Sequence, residues 1–73
     1  MEQEVARKIE ELAVTDYEMR KLWEEHSVLD REIGDLNRQK ILTHEEELRL
    51  KELQKKKLHG KDRLFDRLRV LGE

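Results

Sequence analysis

The sequence predicts an all-α protein whose main body is an antiparallel two-helix hairpin, with a short helical segment before it. Three observations support this prediction. Charged residues make up 47% of the 73 residues and Pro is absent, which is typical of long helices and coiled coils. Two patterns that mark the start of a helix divide the chain, and apolar residues recur at a helical period around them. The net charge of −2 and this regular spacing argue against disorder.

Two capping boxes set the predicted helix boundaries. In a capping box, a Ser or Thr hydroxyl accepts a hydrogen bond from the amide three residues on, where a Glu reaches back. The pattern occurs at Thr15–Glu18 and at Thr43–Glu46. The alternative at the first box is one continuous helix, since a helical Thr15 costs only about tenths of a kcal/mol. The predicted elements of this single domain, 1–73, are a short helix over about 2–14, a long helix over 16–40, a turn at 41–43 and a long helix over 44–70.

The apolar spacing predicts which faces of the two long helices meet. Its alternating steps of three and four are those of a coiled-coil seam. A turn at 41–43 places opposite each other residues whose numbers add to about 86, so that apolar layers meet and His26 faces Gly60. The predicted seam consists of Met19, Leu22, His26, Leu29, Ile33, Leu36, Leu50, Leu53, Lys57, Gly60, Leu64 and Leu68.

The charges agree with an antiparallel pair. Residues 1–48 carry seven Lys/Arg against fourteen Asp/Glu, whereas residues 49–73 carry nine against four. An acidic first helix therefore lies along a basic second one, and flanking charges of opposite sign help to set the partner and its orientation. In this register Asp30 is expected to pair with Lys56.

Several apolar residues have no partner in the predicted hairpin. The N-terminal segment has an apolar stripe that needs either another chain to cover it or a fold back onto its own hairpin. We expect the first solution, a homodimer or larger helical bundle, because an isolated hairpin of this size buries little surface. The predicted oligomer face consists of Val5, Ile9, Leu12, Trp23, Leu58 and Phe65.

The sequence contains little that points to catalysis. It has no Cys, so it has no disulfide, thiolate zinc site or thiol nucleophile. His26 lies in an apolar seam nearly level with His59, which raises three interpretations: a metal site, a pH-sensitive contact, or a structural histidine, which we favour. A two-helix hairpin offers no pocket for a catalytic pair of carboxylates, so we expect no enzyme activity and no cofactor. No signal peptide or membrane span is evident, and the expected location is the cytoplasm.

A basic stretch in the second long helix raises the alternative of RNA binding. Lys55, Lys56 and Lys61 are the candidate contacts, since basic helix faces bind phosphates. Against this, consecutive residues point to different sides of a helix, and no aromatic platform is interleaved with the lysines. Nucleic acid is therefore an unlikely partner on sequence grounds.

Two segments resemble a known family. Residues 22–33 resemble the "L-x-x-x-H-x-x-L-D-x-x-I" stretch of the YdcH-like family, which comprises short bacterial proteins with a domain of unknown function. Residues 53–64 resemble its "L-K-x-x-K-L-x-L-K-D-x-I" stretch, with Gln54 in place of a Lys and Gly60 in place of a Leu. The resemblance implies a helical hairpin without assigned catalysis. Our prediction from the sequence is a non-catalytic, homo-oligomeric interaction protein that could also contact another protein.

Overall fold

The computed structural model of the chain describes residues 3–72, which form three α-helices and no strand. Helix α1 spans Gln3–Thr15, α2 spans Tyr17–Asn37 and α3 spans His44–Gly72. The all-α prediction is confirmed for these residues. Residue 2, where the first helix was predicted to begin, and the ends of the predicted domain at 1 and 73 lie outside the described residues.

The two long helices run antiparallel, as their ion pairs show. Glu32 pairs with Arg49 near the turn, and Asp30 pairs with Lys57 at 2.5 Å farther along. Beyond them, Asp16 at the start of α2 pairs with Arg67. From the turn to the far end of the hairpin, the residue numbers of these pairs fall in α2 and rise in α3, as antiparallel helices require. Near the turn, the hairpin buries a cluster of Ile33, Leu36 and Leu53, against which Leu29, Leu42 and Leu50 pack.

Helix α2 ends at Asn37, earlier than the predicted residue 40. The Arg38 amide still donates to the Gly34 carbonyl at 3.2 Å, but the Gln39 amide donates to Leu36, only three residues back. Such a tightened final turn is common where the last carbonyls have no further helical partner. At the next helix start, the predicted capping box is confirmed. Thr43 N–H donates to Glu46 Oε1 at 3.0 Å, and Glu46 N–H donates to Thr43 Oγ1 at 3.1 Å.

The structure separates α1 from α2 as predicted, with the break at Asp16, but the cap of α2 differs from the prediction. Asp16 has an extended backbone, with φ −106° and ψ 113°, so the two helices are separate. Its carboxylate, and not the hydroxyl of Thr15, caps α2 by accepting from the Met19 amide at 2.7 Å. The capping box predicted at Thr15–Glu18 is therefore wrong. The same carboxylate also binds Arg67 of α3 through two hydrogen bonds, of 2.7 and 3.1 Å, so a contact distant in sequence supports this cap.

Helix α1 folds back onto the end of the hairpin that lies away from the turn. Ile9 and Ala13 are buried there in one cluster with Met19 and Leu64, and the side chains of Ile9, Met19 and Leu64 are completely inaccessible. Partly buried residues complete this end: Val5, Leu12, Leu22, Trp23, Leu68 and Leu71. The apolar stripe of α1 is thus covered within the chain. No helix in residues 3–72 is long and apolar enough to cross a membrane.

Candidate functional site

A groove of about 680 Å³ lies between α2 and α3 beside His26 and Gly60. Five of its ten lining residues are charged, three on α2 and two on α3, and we call these two sets the rims of the groove. None of the residues that line it belongs to the cluster that packs against α1. The lining residues are Lys21, Glu24, Glu25, His26, Val28, Leu29, Lys56, His59, Gly60 and Arg63.

His26 is the buried polar residue of this region. Its side chain stacks on Trp23, one turn before it, with ring centroids 5.5 Å apart and planes inclined by 18°. The residue is 8% exposed, and its Nδ1 atom is buried without a hydrogen-bond partner among the described residues. Burial lowers the pKa of His26 below its usual 6.5, and the Lys57 cation acts in the same direction, against the opposing effect of Asp30. The imidazole is therefore neutral at pH 7.

Gly60 leaves open space in the wall of the groove. A Cβ atom added at this position would meet no heavy atom within 4 Å, and the backbone is ordinary helix without a positive φ. Gly is unfavourable in a helix interior by about 1 kcal/mol relative to Ala. Neither the backbone nor crowding within the chain explains a glycine here.

Among the described residues, the charged rims of the groove take part in no ion pair. None of the six ion pairs found among residues 3–72 involves Lys21, Glu24, Glu25, Lys56 or Arg63. The predicted partner of Asp30 was Lys56, but the structure pairs Asp30 with the adjacent Lys57. Lys56 instead lines the groove, because consecutive side chains point about 100° apart around a helix.

The twelve predicted seam residues all lie away from solvent to some degree. Six are buried and the other six are half-buried. The buried members are Met19, His26, Ile33, Leu36, Leu53 and Leu64, and the half-buried ones are Leu22, Leu29, Leu50, Lys57, Gly60 and Leu68.

The predicted oligomer face does not remain together in the structure. Ile9 is 0% exposed inside the chain, so its assignment to an exposed face is corrected. Val5, Leu12 and Trp23 are half-buried against the same cluster. The remaining two residues are exposed side chains of α3, Leu58 at 59% and Phe65 at 37%, which lie one heptad apart. We call these two residues the outer row.

The three candidate nucleic-acid contacts lie in different surroundings. Lys55 is exposed, Lys56 lines the groove, and Lys61 places its Nζ 5.8 Å from the centre of the Phe65 ring. At about 100° per residue, these positions point to three different sides of α3. One phosphate backbone would therefore not meet all three lysines.

Among the residues that it describes, the structure arranges no complete set of metal ligands around His26 and His59. His26 and His59 both line the groove, but the described residues contain no group of three or more His, Cys, Asp or Glu side chains arranged to hold a metal ion. Sequence reasoning missed the Asp16–Arg67 contact and the groove charges, including Arg63. The only sequence signal for the groove was the pairing of a bulky His26 with Gly60.

These features define a class of small all-α proteins in which a helical hairpin carries a third helix folded against one end.

A family model described as "Protein of unknown function (DUF465)" matches residues 19–68, more than half of the chain, and the chain belongs to that family. The resemblance to YdcH-like proteins is thereby confirmed. The match covers most of α2 and α3 and excludes α1. No curated protein and no solved structure matches the chain.

Proposed function

We propose that this chain is a non-catalytic helical interaction protein that assembles with copies of itself. The observation that carries this proposal is that large apolar side chains stay exposed on α2 and α3 after α1 has folded back. They include the outer row of Leu58 and Phe65, as well as Val28 at 42% and Leu48 at 54% exposure. Leu58 and Phe65 lie one heptad apart on one face of α3, whereas Val28 lies on the separate surface of the groove. A group of exposed apolar residues on one face of a helical protein is typical of interaction surfaces.

The small core supports the same conclusion. Seven hydrophobic residues are buried among residues 3–72, divided between a cluster near the turn and a cluster at the opposite end. Chains of this length obtain little stability from one core, and association is a common way to bury more apolar surface. Assembly would add burial at the exposed apolar residues, which belong to neither cluster.

The test is the mass in solution, measured by sedimentation equilibrium and light scattering from about 5 to 500 µM, a range that exposes mass-action behaviour. We expect a mass that rises with concentration above the 8.9 kDa of one chain. A mass of one chain throughout this range would refute the proposal.

A pair of variants tests the outer row. We expect Leu58→Glu combined with Phe65→Glu to lower the average mass, because charges would then occupy the contact surface. The matched control is Val14→Glu, which places a charge at a residue that is 73% exposed on α1. If the double variant shows the same dependence of mass on concentration as the control, the outer row is not part of the contact surface.

A further inference from the structure

The groove beside Gly60 has the features of an unfilled packing site. Its lining residues are separate from those that hold α1, so α1 does not occupy it. Val28 lines this surface with 42% of its area exposed, and Gly60 in the same groove leaves space that no atom of residues 3–72 fills. An exposed apolar side chain and a vacant position thus lie on one surface.

The charges of the groove differ between its two helices: the α2 side is net acidic although it includes Lys21, and the α3 side is basic. The α3 rim carries Lys56 and Arg63, whereas the α2 rim carries Glu24 and Glu25 next to Lys21. None of these five residues has an ion-pair partner among residues 3–72. A surface with an acidic stripe beside a basic one is complementary to a copy of itself.

We propose that the groove is a two-fold interface between two copies of this chain, in which α2 of one copy lies on α3 of the other. This inference rests on the proposed self-association and assigns it a surface. The symmetry axis runs parallel to the helices. Val28 of each chain occupies the space at the partner's Gly60, and Glu25 of each chain approaches the partner's Arg63.

The height of each residue along the hairpin leads to these pairings. The Asp30–Lys57 ion pair makes residue 28 level with about residue 59, and residue 25 with about residue 62. The pairs Asp16–Arg67 and Glu32–Arg49 shift this match by about four and six residues, so the register used here is that of the Asp30–Lys57 pair. A two-fold axis parallel to the helices preserves height. Each residue of α2 therefore faces the residue of the partner's α3 with which it is level in its own chain. Val28 and Gly60, and likewise Glu25 and Arg63, then differ by about one residue, or 1.5 Å.

The other face-to-face arrangement is unfavourable. A two-fold axis perpendicular to the helices would place α2 on the partner's α2, so that the glutamates of the two copies approach each other. Like charges across an interface oppose association. It would also place α3 on the partner's α3, which leaves the space at Gly60 without an apolar side chain to fill it. The outer row does not line the groove, so dimers of the proposed kind keep it exposed for further contacts.

A charge-reversal experiment tests the arrangement. One variant combines Glu24→Lys with Glu25→Lys, and the other is Arg63→Glu, because residue 63 is level with these glutamates whereas Lys56 is level with about residue 31. In each variant alone, the symmetric dimer places like charges together at both equivalent contacts. We expect each to raise the dimer Kd at least about tenfold at low salt, where charge effects are strongest. In an equimolar mixture, both contacts become attractive again, and we expect a mixed dimer with affinity near that of the original chain.

Sedimentation equilibrium measures the affinities, and native mass spectrometry identifies the mixed dimer by its mass. The control is Glu10→Lys combined with Glu11→Lys, which reverses two exposed charges on α1 and should leave association unchanged. Circular dichroism verifies that every variant remains helical.

The outcomes separate this inference from the proposed function. If the original chain associates and neither charge reversal weakens it, the groove is not the interface, and self-association stands without it. If both reversals weaken association but the mixture does not restore it, the two-fold pairing of α2 with α3 is wrong. If the original chain is monomeric at all concentrations, both proposals fail.

Discussion

Ile9 is the residue whose truncation most directly tests how the N-terminal helix is held. It is 0% exposed and belongs to the cluster formed with Ala13, Met19 and Leu64. Replacing it by Ala removes three carbon atoms, worth about 0.8 kcal/mol each in transfer free energy, and leaves a cavity. We expect Ile9→Ala to lower the free energy of unfolding by about 2–4 kcal/mol. That is a large part of the total of about 4–10 kcal/mol for a chain of this length.

Thermal unfolding followed by circular dichroism measures this loss, which corresponds to a decrease in Tm of about 10–25 °C for a domain of this size. The matched control is Val14→Ala in the same helix, where the side chain is 73% exposed and the change should be within about 0.5 kcal/mol. Hydrogen exchange should show that the α1 amides lose protection first. Equal effects of the two substitutions would refute the described packing of α1. A loss caused by Ile9→Ala that depends on protein concentration would place Ile9 in an interface between chains.

Two further predictions concern the buried histidine and the helix caps. Burial lowers the pKa of His26, so the unfolded chain takes up a proton at a higher pH than the folded chain, and stability should fall as the pH drops below about 6.5. Denaturant titrations from about pH 8 to 5 measure how the free energy of unfolding changes with pH. We expect this dependence to be weaker in His26→Gln and to be retained in the exposed control His59→Gln. An unchanged dependence in His26→Gln would assign it to other groups. Thr43→Ala should cost about 1 kcal/mol because it removes an N-cap, whereas Thr15→Ala should be nearly neutral because Asp16 caps α2. Equal losses at the two threonines would contradict the observed caps.

Sequence reasoning succeeded where the controlling interactions are local or periodic. Thr43 and Glu46 are three residues apart and form hydrogen bonds with each other, so the start of α3 can be identified from the sequence without tertiary information. The steps of three and four from Met19 to Leu68 predicted residues that are all buried or half-buried. Helical geometry converts such spacing into one face, which is why the antiparallel pairing of α2 and α3 followed from the order of apolar residues.

The sequence by itself thus determined the helical class, the seam and the second cap, because each depends on residues within a few positions or on one helical period. Only the tertiary structure decided the direction of α1, since an apolar stripe is equally satisfied by its own hairpin or by another chain. Asp16, and not Thr15, caps α2 through a local bond to the Met19 amide, and only the tertiary structure shows that the same carboxylate meets Arg67, 51 residues away in sequence. The groove likewise exists only after α2 and α3 have packed, when charges that are scattered along the sequence form two rims beside the vacant position at Gly60.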